Sequence, residues 1–241
     1  MLLGKHVLAF ARTWRYREKI ELEAADQFRR LATELAATGA LPLLVDMASE
    51  AAQEEEEHAV LCRKIVDSLQ PGLRALEPNL GVALGPEWLP RSQRALYASV
   101  ALSCVTESLS TAFLLEMREL VTNELIRKIV QRILKDEIKH SRLGWAHLAA
   151  EAEQGDVSWL GEYVPMMLRD AVASDVVPLI VDSEAYGILS SAKVHTITRA
   201  TTEQVIFPGL QRFGIDTSVA ERERGCLPPR PQTDGNAPAY A

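Results

Sequence analysis

The stretch of residues 52–61, AQEEEEHAVL, contains a Glu-x-x-His motif at Glu55 and His58, and a second copy follows at Glu137 and His140 in DEIKHSRLGWAH. Residues three positions apart share one face of an α-helix, so each pair can present a carboxylate oxygen and an imidazole nitrogen to the same point. One copy arises easily by chance in a glutamate-rich helix. Two copies on two different helices indicate a shared metal site.

The segments around these motifs are predicted to be helical throughout. Between clusters of glycine and proline the chain is rich in Ala, Leu, Glu, Arg and Gln, which favour helices, and it shows no alternating strand pattern with hairpin turns. The sequence therefore predicts an all-α protein. Four long helices are expected at about residues 12–38, 42–69, 91–119 and 122–153, and two shorter ones at about 157–174 and 194–213.

The lengths of the connections predict how the long helices are arranged. The link TGAL after the first helix is short, and so is the link near residues 121–123, so each joins an antiparallel pair. Some twenty residues join the second helix to the third, which is long enough to cross the bundle from end to end. Two hairpins joined by one long crossover form the ferritin-like four-helix bundle, here with two additional C-terminal helices.

These helices are expected to form one domain. Residues 1–220 are assigned to a single ferritin-like helical domain, with its core bundle at about 12–153 and the extra helices at about 157–213. The remainder, residues 221–241, is proline-rich and is expected to be a disordered tail.

Composition excludes several classes of partner and site. With 26 basic and 33 acidic residues the net charge is −7, which argues against a nucleic-acid partner. No stretch approaches the roughly 20 apolar residues of a membrane-spanning helix, so no span is expected. The three cysteines, Cys62, Cys104 and Cys226, form no CxxC pair, which disfavours a disulfide framework, a zinc ribbon and a rubredoxin-type iron site. Reduced thiols in a cytoplasmic protein are the simpler interpretation.

The first helix of each hairpin is expected to supply one more carboxylate. Glu107 is the single ionisable carboxylate in the apolar stretch ASVALSCVTESLSTAFLL, where an unpaired charge would cost several kcal/mol. A metal would remove that cost, although pairing with an arginine is an alternative. On the first helix the candidates are Glu18, Glu21 and Glu23, of which Glu21 shares its face with apolar Ala25 and is preferred.

The predicted ligand set contains four carboxylates, two imidazoles and no sulfur, which suits two iron ions, with manganese or a mixed Mn/Fe pair as alternatives. Its members are Glu21, Glu55, His58, Glu107, Glu137 and His140. An acid precedes each Glu-x-x-His, and metal-bound histidines usually donate their second ring nitrogen to a carboxylate. We therefore expect Asp136 to accept from His58 and Glu54 to accept from His140. A surface pair with Lys135 or Lys139 is the alternative for Asp136.

Four segments, taken in order, resemble the ferritin-like di-metal carboxylate superfamily: ELEAADQFRRLA, EEEEHA, CVTESLSTAF and DEIKHSRLGWA. The first of them is similar to the corresponding segment of the cyanobacterial aldehyde-deformylating oxygenases, and this match also gives Glu21 the ligand position. Bacterioferritin has a similar aromatic residue seven positions after its ligand, so the branch stays open.

The resemblance implies a di-iron oxygenase or oxidase that uses O₂ as co-substrate to oxidise a small organic molecule. Such an enzyme needs an external electron donor, and a monomer or homodimer is expected. An iron-handling protein, with ferroxidase or peroxide-scavenging activity and no organic substrate, is the alternative, and a metal-free bundle is a third. Rubrerythrin is disfavoured because the rubredoxin cysteines are missing.

A substrate cavity beside the metals is the last expectation. Small and hydroxylic residues on the third helix leave space near Glu107, or else allow close helix packing. The candidate cavity residues are Ala25, Phe28, Cys62, Ser103, Cys104, Ser110, Thr111 and Gly144. His147 lies two turns from His140 and is too far to be a ligand, and His195 is expected at the surface.

Overall fold

The computed structural model describes residues 2–173 and 183–226, and these contain helices and no strand. The four predicted long helices are present. They are α1 (Leu2–Thr38), α2 (Pro42–Leu69), α3 (Arg91–Leu120) and α4 (Glu124–Gln154). Only the start of α1 differs greatly from the prediction, because the helix continues back past residue 12, where Phe10 stacks on Tyr186 of a later segment.

The C-terminal part packs shorter helices onto the bundle. A 3₁₀-helix (Ser158–Tyr163) precedes α5 (Val164–Ala173), and α6 (Ser191–Thr201) continues through a π-helical segment (Thr202–Ile206) into α7 (Phe207–Gln211). The last helix, α8, covers Ser218–Cys226. Residues 221–226, which the sequence analysis assigned to the tail, are therefore helical, and residues 227–241 lie outside the described part of the chain.

Local signals explain where the hairpins turn. Gly39 follows α1 with a φ of 75°, a left-handed conformation that glycine adopts without strain. Pro42 then begins α2, at a position where its missing N–H costs nothing. In the second hairpin, the Asn123 side chain accepts a hydrogen bond from the backbone N–H of Ile126 and so caps α4.

The connection between α2 and α3 runs along α1. Arg15 Nη2 donates to the backbone oxygen of Leu73 at 2.7 Å, and further along the same helix Arg30 donates to the backbone oxygen of Val82. The two arginines are about 22 Å apart along the helix axis, at 1.5 Å per residue. The connection thus follows much of the length of the bundle.

The long helices are not packed equally. α1 packs along α2, α2 along α4, and α3 along α4. α1 also packs against the beginning of α3, Arg91–Ser99, but not closely against its second half, Glu107–Leu120. That second half is covered instead by α6.

A π-helical segment, Val100–Thr106, interrupts α3 just before Glu107. Its backbone hydrogen bonds reach five residues back, as in the bond that the N–H of Glu107 donates to the oxygen of Leu102. The Thr106 side chain also donates, through Oγ1, to the backbone oxygen of Ala101 at 3.0 Å. π-Helical turns are rare and often occur at functional sites. This π-helical segment sets the direction in which Glu107, the first residue of the second half of α3, points from the helix axis.

By length and composition, α3 could also cross a membrane, which the sequence analysis did not expect. Within its most apolar window, 56% of the residues are buried inside the protein. A buried core helix passes the same test, and the ionisable Glu107 in this helix faces the interior of the bundle rather than its outside.

Candidate metal centre

The structure brings all six predicted ligands together in the middle of the bundle. One group consists of Glu21, Glu55, His58 and Glu137, and a second of Glu55, Glu107, Glu137 and His140. Within each group one ligand atom of every residue lies within 4.8 Å of the others. Glu55 and Glu137 belong to both groups, so this arrangement has the form of two adjacent cation positions that share two carboxylates.

The two histidines approach this cluster in the same way. His58 Nδ1 lies 3.1 Å from Glu55 Oε2 and 3.8 Å from Glu137 Oε1. His140 Nδ1 lies 2.9 Å from Glu55 Oε1 and 3.4 Å from Glu137 Oε2. Both Nδ1 atoms therefore face the two shared carboxylates, and the imidazole rings stand 5.7 Å apart between their centroids.

Two buried atoms of the cluster, His140 Nδ1 and Glu137 Oε2, have no hydrogen-bond partner among the described residues. Glu55 Oε1 is close to His140 Nδ1, but the two are not aligned as a hydrogen bond. Buried polar atoms normally find a partner, because leaving one unpaired costs free energy. A cation between them would satisfy both, so the residues present fit a metal pair.

Each histidine turns its other nitrogen outward to an acid. His58 Nε2 lies 3.2 Å from Asp136 Oδ2, and His140 Nε2 lies 2.9 Å from Glu54 Oε2. These are the two contacts that the sequence analysis expected. Such a contact holds a proton on Nε2, so that Nδ1 of the neutral imidazole is the nitrogen that can bind a metal.

The outer acids are themselves paired with basic side chains. Arg132 and Lys139 both contact Asp136, and Lys139 also contacts Glu54. Asp136 is buried and contacts both Lys139 and His58. The two partners that the sequence analysis gave as alternatives therefore occur together. The histidine side of the cluster, between α2 and α4, is closed by this layer of ion pairs.

The electrostatics of the cluster divide its carboxylates into two kinds. Burial raises the pKa of Glu21 and of Glu107, and the neighbouring carboxylates raise it further. Burial also acts to raise the pKa of Glu55, but His140 and His58 outweigh this effect and lower it below its usual value. Burial would lower the pKa of His140, yet the carboxylates of Glu137 and Glu55 raise it to about 11.

Exposure also differs across the cluster, but it does not follow the division by pKa, because Glu107 is buried. The side chain of Glu21 is 17% exposed, whereas those of Glu55 and Glu137 are 1% and 2% exposed. The cluster is therefore most accessible at its Glu21 end, beside the part of the bundle where α1 and the second half of α3 are not closely packed.

The structure separates the candidate cavity residues into two sets, of which the first lies where α3 and α4 cross. A Cβ atom added to Gly144 would lie 2.5 Å from the backbone oxygen of Ser99, 2.7 Å from Cys104 Sγ and 2.8 Å from Ser103 Cβ. Here the small residues serve a close crossing of α3 and α4, so Gly144 and Cys104 do not open a cavity. Ser103 Oγ is nevertheless buried without a hydrogen-bond partner among the described residues.

Phe28 and Cys62, by contrast, lie beside the cluster. Phe28 is fully buried and its ring stands 5.5 Å from that of His140, next to buried Ala25 on the same helix. Cys62 is buried with its Sγ 3.9 Å from Glu21 Oε1, and burial raises the pKa of its thiol. Ser110 and Thr111 are partly buried, and Thr111 Oγ1 has no hydrogen-bond partner among the described residues.

His147 and His195 stay out of the ligand set. His147 Nδ1 lies 2.8 Å from Ser99 Oγ, and burial lowers the pKa of this imidazole to about 4. His195 is exposed on α6.

Sequence reasoning named Lys139 only as an alternative surface partner of Asp136, and it missed Arg132 and Arg17. Arg132 and Lys139 lie at positions i−4 and i+3 of Asp136, a spacing that was visible in the sequence. Arg17, one turn before Glu21, was equally visible by spacing. Its contact with Trp14, three residues earlier on the same helix, was also visible by spacing, whereas its contact with Met117 depends on tertiary structure.

A family model described as Rubrerythrin matches residues 18–146, which is more than half of the chain and includes all six predicted ligands. No curated protein and no solved structure matches the chain. The expectation that rubrerythrin is disfavoured is therefore wrong. It rested on missing rubredoxin cysteines, whereas the match rests on the helical bundle, in which the only cysteines are Cys62 and Cys104.

Proposed function

Because this chain belongs to the rubrerythrin family, a group of ferritin-like carboxylate proteins, we propose that it is a di-iron oxidoreductase that uses O₂ to oxidise a small organic substrate. One observation carries this proposal: two overlapping groups of carboxylates and histidines share Glu55 and Glu137 in the buried centre of the bundle. Oxygen and nitrogen donors without sulfur suit iron or manganese.

The clustered residues would have different roles in holding the two ions. Glu55 and Glu137 would hold both ions, Glu21 with His58 would hold one, and Glu107 with His140 would hold the other. Asp136 and Glu54 fix the orientation of the two imidazoles through their Nε2 atoms. The bound iron supplies the electron transfer to oxygen, while the protein supplies positions and a dry surrounding.

Packing favours one direction of approach. The side between α2 and α4 is closed by the ion pairs of Asp136 and Glu54 with Lys139. The side between α1 and the second half of α3 is less closely packed, and there the Glu21 side chain is partly exposed. O₂ and an organic substrate would therefore reach the cluster at its Glu21 end. An oxygenase that reduces the second oxygen atom to water also needs two electrons and two protons, which an external donor would provide.

The family match supports a second candidate function, the reduction of peroxide or the oxidation of free Fe(II) without an organic substrate. The buried di-carboxylate arrangement serves this chemistry equally well. The two candidate functions differ in the oxidant that reacts with the reduced site. They also differ because only the oxygenase needs an organic substrate beside Glu21.

Stopped-flow mixing of the Fe(II)-loaded protein with O₂ or with H₂O₂ tests this proposal. We expect two iron ions per chain and faster reoxidation by O₂. Reoxidation by H₂O₂ at least about ten times faster would favour the peroxidase, and a protein that holds no iron would refute both candidates. Glu107→Gln should lower the iron content, whereas Glu116→Gln, on the same helix but paired with Lys193 away from the cluster, should not.

A further inference from the structure

Arg17 lies on α1 one helical turn before Glu21, on the same face of the helix. Its guanidinium is held by two uncharged groups. Arg17 Nη1 donates to Met117 Sδ at 3.2 Å, and the guanidinium carbon lies 4.8 Å from the centroid of the Trp14 ring. Trp14 and Met117 are both fully buried, so the guanidinium has a rigid, preformed seat between α1 and α3.

This half-buried cation has no carboxylate within 4 Å in the part of the chain that the structure describes. Other basic residues near the centre are compensated: Arg132 and Lys139 pair with Asp136, and Arg15 pairs with Glu18. A thioether and an aromatic ring stabilise a guanidinium far less than a carboxylate does.

The cluster itself does not neutralise Arg17. Four glutamates bring four negative charges, and two divalent ions bring four positive charges, so the filled site with neutral histidines is uncharged. Arg17 nevertheless lies one helical turn before Glu21 on the same face of α1. A positive charge thus faces the Glu21 end of an electrically neutral centre.

We propose that Arg17 binds the carboxylate of an organic-acid substrate whose remaining part extends toward the Glu21 end of the metal centre. A guanidinium matches a carboxylate with two parallel hydrogen bonds, and a seat already fixed by Trp14 and Met117 lowers the entropy lost on binding. This inference rests on the proposed function and deepens it, because it names the chemical class of the substrate.

Isothermal titration of the Zn(II)-loaded protein with hexanoate tests the proposal, and zinc is used because it undergoes no redox reaction. Wild type and Arg12→Gln, which removes an exposed arginine on the same helix, should bind hexanoate equally and should not bind hexanamide. Arg17→Gln should weaken hexanoate binding about ten- to a hundredfold, as expected for loss of a charged hydrogen-bonded partner. Arg17→Lys keeps the charge and should retain part of the affinity.

Three results would overturn the proposal. The first is that Arg17→Gln binds hexanoate as tightly as the wild type does, which would place the carboxylate on the metal. The second is that the wild type binds hexanamide as tightly as hexanoate. The third is that the wild type does not bind hexanoate. Zinc content is measured in the same samples, so a chain that holds no metal, which would refute the proposed function, is distinguished from a chain that holds metal and ignores the carboxylate.

Discussion

The two sides of the metal centre are built differently. On the side between α2 and α4, each histidine is backed by an acid and each acid by a basic residue, so charges alternate outward from the centre. On the side between α1 and α3, the partly exposed Glu21 stands beside an arginine held only by uncharged groups. This contrast underlies our proposal that the first side fixes the metals and the second side receives what reacts with them.

The largest effect is expected from the shared carboxylates, which belong to neither side. Glu137→Ala removes a group common to both cation positions, so the iron content should fall from two per chain to nearly none. Glu21→Ala touches one position only and should leave about one ion. Iron is measured by elemental analysis, with exposed Glu119→Ala as the control. A Glu137→Ala protein that keeps two ions would refute the shared arrangement.

A strong pH dependence of metal binding is expected next. In the metal-free protein the raised pKa of Glu21 and Glu107 favours their protonated form up to a higher pH than for an ordinary carboxyl, and the pKa of His140, raised to about 11, favours its protonated form. Glu55, with its lowered pKa, is already ionised. A metal requires ionised carboxylates and neutral imidazole.

Metal uptake must therefore release protons, and the affinity should rise with pH, by about tenfold per unit for each proton released. Zinc titration in weak buffer with a pH indicator measures the release directly. An affinity that is unchanged between about pH 6 and about pH 8 would contradict the assigned protonation states.

The closed side can be weakened without touching a ligand. Asp136→Asn keeps the shape of the side chain but removes the negative charge that faces His58 Nε2, and metal affinity should fall by roughly 10–100-fold. Glu54→Gln tests the equivalent contact with His140. Competition with a chelator measures both, and circular dichroism checks that the fold is intact. Wild-type affinity in both variants would show that the outer acids have no influence on the metals.

The smallest expected effect is on the free energy of unfolding, and it concerns the close packing of α3 against α4 rather than against α1. Gly144→Ala should destabilise the fold by about 1–3 kcal/mol, because the new methyl group meets the backbone of Ser99 and two side chains of α3. Gly155→Ala has open space around the new methyl group and serves as the control. Urea denaturation measures the free energy of unfolding, and equal stabilities would mean that the crossing is looser than observed.

The sequence was enough to predict the six clustered residues and the four long helices. Glu107 stood out as a lone carboxylate in an apolar stretch, and Glu21 by its apolar helix face and the family resemblance. Spacing carried the two Glu-x-x-His pairs. The reason is that positions three and four apart on a helix share a face, so Glu55 with His58 and Glu137 with His140 had to point the same way. Spacing does not reveal what a face meets. The close crossing at Gly144 and the seat of Arg17 depend on which helices become neighbours, and α1 extends to Leu2 because Phe10 finds Tyr186, a partner far away in the chain.

The most direct test of the account is anomalous diffraction at the iron edge from crystals of the Fe(II)-loaded protein. The account predicts two iron peaks, about 3.5–4 Å apart as in other two-metal sites. Glu55 and Glu137 should each contact both peaks, with His58 on one and His140 on the other. A single peak, or two peaks that share no carboxylate, would contradict the central claim.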